Sequence, residues 1–274
     1  MKRHRFLTFS IDSTRNVFKK NTPSPLMEQY KKEEREYLEK KYGPLDFDTK
    51  FDRWVSIPKP VLSVVDEHTH LLQDVENSYV SGNLYSALTG ACCLGERIFN
   101  QIISRVKDSY RSSPKYKLIY RKKTLNDWDL AIDVLVEWQI IDSKTEKKYR
   151  RLAKLRNESV HFQDKDQDLD EMAKEAINLI NEIVSDLFEL RKDKEFVIWF
   201  EVPGELYLRK GAEKIPFINA FYVPCAPLVG YKHTIESVTG PKMKVADKEG
   251  YSNEEISDEE FVKLRNEYKK DSNN

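Results

Sequence analysis

What most constrains this chain is a succession of helix-period apolar patterns between about residues 61 and 192. Val61 to Tyr79 and Leu84 to Val106 each place apolar residues three and four apart, with Ser81-Gly82-Asn83 as the break between them. The second segment is dense in small and apolar side chains (Ala87, Leu88, Ala91, Cys92, Leu94, Ile98, Phe99, Ile102, Ile103), which is the pattern of a helix surrounded by others. A further helix is predicted over about Asn126 to Trp138, with Trp128, Leu130, Ala131, Val134, Leu135 and Trp138 inward and Asn126 or Asp127 near its N-cap. Ser143 is expected to cap the next, which runs through Tyr149, Leu152 and Leu155. After a polar break at Gln163 to Gln167, Leu169 to Leu190 repeats an apolar stripe at Met172, Ala176, Leu179, Ile180, Ile183, Val184, Leu187 and Phe188. Amphipathic helices joined by short connections form antiparallel bundles, so the fold class is mainly α.

The flanks read differently. Residues 1–60 form an N-terminal arm with a strand expected at Arg5 to Ile11 and a charged, exposed helix at Leu26 to Tyr42, stopped by Gly43-Pro44. Pro58 and Pro60 separate this arm from the bundle of residues 61–192. Around Lys194 the periodicity changes. Phe196 to Phe200, Glu205 to Arg209 and Phe217 to Val223 are rich in β-branched and aromatic residues, divided by Pro203-Gly204 and Gly211. They predict a small antiparallel sheet over 193–246, which the N-terminal strand would complete. Residues 247–274 are charged and poor in apolar content, so a short helix at Asp258 to Tyr268 and a partly disordered end are expected.

Composition narrows the function classes. Lys plus Arg and Asp plus Glu both number 46, so net charge does not point to a polyanionic partner and only its distribution can. No apolar run approaches the ~20 residues of a membrane-spanning helix. Phe6 to Ile11 is too short and too polar for a signal-peptide core. Cys92, Cys93 and Cys225 are odd in number, and two of them are adjacent, so no disulfide framework is expected. No Cys-x-x-Cys or His-x-x-x-His pair offers a zinc site. A cytoplasmic, membrane-free protein without metal or cofactor is the expectation. Asp66, Glu67, His68 and His70 are metal-like in composition, but His68 and His70 sit two apart on a predicted helix, face different ways and read as surface residues. Asp164 to Asp170 lacks the glycine and terminal glutamate of a calcium loop and reads as the acidic start of the next helix. No Gly-rich phosphate loop or Gly-x-Ser-x-Gly elbow occurs.

The most informative stretch is Leu152-Ala-Lys-Leu-Arg-Asn-Glu-Ser-Val-His-Phe162. Its Arg156-Asn157 followed by His161 resembles the Arg-Asn-x-x-x-His motif of the HEPN domain family, which lies at the end of a bundle helix. The resemblance covers about 61–192. It implies a metal-independent endoribonuclease that leaves 2′,3′-cyclic phosphate and 5′-hydroxyl ends, a homodimer in which the motifs of the two copies meet, and a setting in phage defence or toxin action. It also implies an acidic residue on an earlier helix beside the motif, a place Glu96 occupies. Leu264-Arg-Asn-Glu267 repeats the tetrapeptide without a histidine in the expected polar tail, where no meaning is read into it.

The residue types fit the chemistry. Histidine titrates near neutral pH and can move the 2′-hydroxyl or leaving-group proton. Arginine supplies a permanently charged fork of donors to a phosphate, Asn157 can hydrogen-bond a ring nitrogen or the phosphate, and Glu96 can hold Arg156 in place. On an ideal helix five residues turn through about 500°, so Arg156 and His161 would point about 140° apart unless His161 lies past the helix end. Structural readings of the same residues stand beside this one: Arg156 paired with Glu96 or Glu158, and Asn157 and His161 capping a helix C-terminus. A non-catalytic HEPN-like module binding a nucleotide, RNA or partner protein is the alternative function. The segment from Arg105 to Lys123 is basic, with Arg111, Lys115, Lys117, Arg121, Lys122 and Lys123 interleaved with Tyr110, Tyr116 and Tyr120. A second basic run, Lys144 to Lys154, leads into the motif. Both are candidate contacts for single-stranded or structured RNA, or else solvated faces.

Overall fold

The computed structural model describes residues 1–6, 25–59, 61, 63–160, 168–188, 199–236, 244–247 and 250–272. The chain forms two compact units, Ile11–Leu190 and a second that joins Met1–Ser10 to Arg191–Asn274. It is mainly helical, with its β-structure in the second unit.

The first unit contains α1 (Pro25–Tyr42), α2 (Phe47–Ser56), α3 (Asp66–Val80), α4 (Leu84–Val106), α5 (Tyr116–Ile119), α6 (Trp128–Glu137), α7 (Ser143–Val160) and α8 (Leu169–Phe188). Helix α4 is central and packs on α3, α6, α7 and α8. Its buried residues include Ala87, Leu88, Ala91, Cys92, Leu94, Ile98, Phe99, Ile102 and Ile103, the set its spacing predicts. Burying each large apolar side chain contributes about 1.5–3 kcal/mol. Gly95 lets two neighbours close in, since a Cβ there would lie 2.7 Å from Leu152 Cδ2 and 3.2 Å from Trp128 Cη2. Cys92 Sγ meets the Leu152 carbonyl at 4.0 Å, and Phe99 meets Tyr149 with ring centroids 6.4 Å apart. Rising numbers on α4 therefore face falling numbers on α7, and these helices run antiparallel.

Aspartates set the helix starts. Asp127 accepts from the Leu130 amide at 3.0 Å and caps α6 as predicted. At α7 the cap is Asp142 and not Ser143: its carboxylate accepts from the Thr145 and Lys144 amides at 2.8 and 3.1 Å. These backbone hydrogen bonds, led by that of Thr145, hold the Asp142 carboxyl below its usual range. Asp168 serves α8 in the same way, accepting from Asp170 and Glu171 at 3.0 and 3.2 Å. The rest of the acidic stretch, residues 164–167, lies outside the described residues. Helix α2 was not expected from the sequence, although Phe47, Phe51 and Trp54 have helical spacing and Phe47 and Trp54 are buried. Among the described residues, no helix is long and apolar enough to cross a membrane.

In the second unit β1 (Lys2–Phe6), β2 (Trp199–Val202), β3 (Glu205–Leu208) and β4 (Leu228–Gly230) form an antiparallel sheet in the order β2-β3-β1-β4. The N-terminal strand thus lies inside the C-terminal sheet, with Arg5 opposite Tyr207 and Arg3 opposite Val229. The expected strand position at Arg5 to Ile11 is shifted back, and residues 7–11 lie outside the described residues. Gly204, at φ +78°, makes the tight turn between β2 and β3. Strands β5 (Thr234–Glu236) and β6 (Lys244–Ala246) form a separate ribbon.

The strand expected at Phe217 to Val223 is instead helix α9 (Pro216–Phe221). Pro216 occupies its first turn, and Phe217, Ile218, Phe221 and Tyr222 are buried at helical spacing, which overrides their β-forming composition. The polar C-terminal segment is helix α10 (Asp258–Ser272). Its Phe261 is fully buried in a core with Phe200, Val202, Tyr207 and Val229.

Candidate functional site

Arg156 and Asn157 stand near the C-terminal end of α7, Arg156 half-buried and Asn157 exposed. Arg156 Nη1 donates to Asn157 Oδ1 at 3.2 Å, and the Arg156 carbonyl accepts from Ser159 Oγ at 2.9 Å. His161 lies outside the described residues. Burial pushes the neighbouring Cys92 thiol up to about 12, and the Arg156 charge works against that shift, so the guanidinium is near α4.

Arg156 differs from Lys148, Arg150, Arg151 and Lys154 of the same helix. Lys148 pairs with Asp186 at 2.8 Å and Glu182 at 3.0 Å; Arg150 pairs with Asp133 at 2.8 Å and Glu146 at 2.9 Å. Arg151 binds Glu175 through two nitrogens, and Lys154 reaches Glu158 at 3.8 Å. Among the described residues Arg156 has no carboxylate partner. The structural readings that pair it with Glu96 or Glu158 are therefore not observed. Glu158 is near Arg151 and Lys154.

Among the described residues Glu96 is not paired with Arg156. It accepts from Trp128 Nε1 at 3.0 Å. The antiparallel pairing explains this: Arg156 lies one turn past Leu152 toward the start of α4, whereas Glu96 lies one turn beyond Cys92 in the other direction. The indole of α6 takes its carboxylate instead.

The two basic runs fare differently. In the run Lys144 to Lys154, the ion pairs above engage Lys148, Arg150, Arg151 and Lys154, while Lys144, Lys147 and Lys154 stay exposed. In the other run, Arg111 turns back onto Asp108 at 3.2 Å and Lys115 is held by Asp133 at 2.8 Å. Lys117, Arg121, Lys122 and Lys123 remain exposed, with Arg121 lying over the Tyr120 ring at 5.1 Å.

No protein-family model, curated protein or solved structure matches this chain. The reading of the site therefore rests on its own geometry.

Sequence reasoning missed a buried ionic cluster in the second unit. Arg5, Glu205, His233 and Arg265 are buried together: Arg265 donates to Glu205 and to the Tyr231 and His233 carbonyls at 2.7 and 2.8 Å, and Arg5 Nη1 contacts His233 Nε2. His233 Nδ1 donates to the Gly230 carbonyl at 2.6 Å, leaving Nε2 to accept from Arg5. Arg265 belongs to the second Leu-Arg-Asn-Glu, so that copy has a structural role that its sequence setting concealed. His68, read as a surface residue, is also buried, bonded to Gln101 at 2.9 Å and Ser63 at 3.2 Å, and burial lowers its pKa. His70 is exposed and near Asp66 at 3.4 Å, so the two histidines do face apart. The ligand atoms of His4, Glu213 and Glu255 come within 4.8 Å of one another, but fully buried Arg3 already bridges both carboxylates at 2.6 and 3.2 Å. Its guanidinium supplies the positive charge that a metal ion would bring.

Proposed function

We propose that the helical unit is a HEPN-type, metal-independent endoribonuclease acting as a homodimer, in which Arg156 contacts the scissile phosphate, Asn157 orients it and His161 moves the proton. The observation that carries this reading is the contrast between the two Leu-Arg-Asn-Glu copies. Arg265 is saturated by a carboxylate and backbone carbonyls, whereas among the described residues Arg156 bonds only the adjacent asparagine and keeps donors available to an incoming phosphate. In the reaction the RNA 2′-hydroxyl attacks the adjacent phosphorus, the P–O5′ bond breaks, and the products are a 2′,3′-cyclic phosphate and a 5′-hydroxyl. Arg156 would offset the charge that develops on the phosphate oxygens. A role in phage defence or as a toxin belongs to the same proposal.

The test is incubation of purified protein with labelled single-stranded and hairpin RNAs in EDTA, beside Arg156→Ala and His161→Ala. Cleavage that persists in the chelator and is lost in both variants supports the enzyme. Absence of cleavage by wild type across these RNAs rejects it and favours a non-catalytic HEPN-like binding module, a reading supported by the engagement of Glu96 with Trp128.

A further inference from the structure

The segment after α4 separates its basic residues into those paired with a carboxylate and those without one among the described residues. Asp108 accepts from Arg111 and from Tyr116 Oη, the latter at 3.2 Å; Asp133 holds Lys115 and Arg150. Glu137 is engaged by Ser113 Oγ. Tyr110 stacks on Trp138 with centroids 4.5 Å apart, and Trp138 Nε1 donates to Ser113 Oγ at 3.0 Å, which fixes the segment on the end of α6. Lys107 Nζ donates to the Tyr120 carbonyl at 3.3 Å and ties the far end of the loop back to α4.

What this frame presents is Lys117, Tyr120, Arg121, Lys122 and Lys123, all exposed, with no acidic residue between Asp108 and Asp127. Tyr120 is 43% exposed although it stacks on Tyr116 at 5.8 Å, so part of an aromatic surface remains available beside Arg121. An exposed ring, flanked by Arg121 and by cations that have no carboxylate partner among the described residues, matches the chemistry of an unpaired base attached to a phosphate backbone. A duplex conceals its base faces and offers the ring nothing to stack on. The Tyr120 end of the patch is also far from Arg156. Arg156 lies near the Cys92 level of α4, and Lys107 follows its last turn; at about 1.5 Å per residue these levels are about 20 Å apart.

We propose that this face is an anchoring site for single-stranded RNA, separate from Arg156, in which Tyr120 stacks on a base and Lys117, Arg121, Lys122 and Lys123 hold the flanking phosphates. The choice of RNA over DNA rests on the proposed ribonuclease activity; the stacking and charge argument does not.

The experiment measures binding of the full chain to a fluorescent 2′-O-methyl 12-mer, which has no free 2′-hydroxyl and is not cut, and to a duplex of the same length. Tyr120→Ala should weaken single-strand binding about tenfold, with Tyr120→Phe close to wild type. Replacing the four cations by Ala should reduce the slope of log affinity against log salt by about 3. Sites this far apart act independently, so the losses from Tyr120→Ala and Arg156→Ala should multiply in the double variant. Unchanged affinity in the Tyr120 and four-cation variants, equal loss with Tyr120→Phe, or tighter binding of the duplex overturns the anchor. Anchor-dependent binding by a protein that cuts no RNA rejects the nuclease alone, whereas cutting without anchor dependence rejects the anchor alone.

Discussion

Glu205 and Arg265 form a two-point ion pair: Arg265 Nε donates to Oε2 at 2.9 Å and Nη2 donates to Oε1 at 2.6 Å. Arg5 approaches the same carboxylate at 3.3 Å, so one buried acid joins the N-terminal strand to the C-terminal helix. Removing it leaves two buried guanidinium groups without their counterion. Glu205→Gln should lower unfolding free energy by about 3–5 kcal/mol, read from urea denaturation followed by fluorescence. A change under about 1 kcal/mol would show that the cluster is solvated in practice.

The same cluster predicts acid sensitivity. Burial acts to raise the Glu205 carboxyl, but hydrogen bonds from Arg265 and Tyr207, with the charge of Arg5, outweigh it and hold the pKa at about 2 against an ordinary 4.5. Its contribution is complete above about pH 4.5 and is lost as pH falls toward 2. His233 is held at about 4 against 6.5, first by burial and then by Arg265. The unfolded chain protonates first, so this contribution is complete above about pH 6.5 and is lost as pH falls toward 4. Both limbs have the same sign. Between about pH 8 and 4 the urea midpoint should decline as pH falls below about 6.5, and a midpoint that rises on mild acidification contradicts this account.

Gly95→Ala tests the close approach of α4, α6 and α7. Alanine gains about 1 kcal/mol in helix propensity, yet the new methyl must displace Leu152 and press on the indole of Trp128, an overpacking that costs about 1–3 kcal/mol. A net loss is expected in thermal denaturation. A stabilised variant would mean that the Leu152 side chain rotates away freely.

Glu96→Gln separates the site from its support. A carboxamide oxygen can still accept from the Trp128 indole, so stability should change by about 1 kcal/mol or less. If the geometry near Arg156 is what matters for RNA cleavage, this variant should retain activity within about twofold of wild type while Arg156→Ala loses it. Loss of activity at unchanged stability would return Glu96 to the reacting groups.

The cysteines should divide by burial. Cys92 is buried with its thiol pushed up to about 12, whereas Cys93 and Cys225 are exposed. Iodoacetamide near pH 8 should modify Cys93 and Cys225 in the folded protein and Cys92 only after denaturation, as peptide mass spectrometry will show.

The bundle was legible because its helices bury wide apolar stripes, and periodicity reports burial directly. Leu84 to Val106 is recovered with its bounds, and Leu169 to Phe188 is helical as expected, with Leu190 outside the described residues. Capping was legible only to one residue, because Asp142 and Ser143 are both good caps and the choice depends on which side chain reaches the free amides. Helix α9 was misread because aromatic and β-branched residues fit a strand as well as a short buried helix, and six residues are too few for periodicity to decide. At the site, residue identity was legible but partnership was not. Nothing local distinguishes Arg156 from Arg265 within Leu-Arg-Asn-Glu. Their difference lies in Glu205, brought to Arg265 by the sheet, and in the Trp128 indole, which takes Glu96.

The strand order has a consequence for biosynthesis. Arg5 leaves the ribosome roughly 10–40 s before Tyr207, its partner across the sheet, at ordinary rates of synthesis. During that interval β1 has neither neighbour, and the whole helical unit emerges before it ends. Strand β1 must therefore wait for β3 and β4, and the waiting strand is where a nascent-chain chaperone would find an open edge.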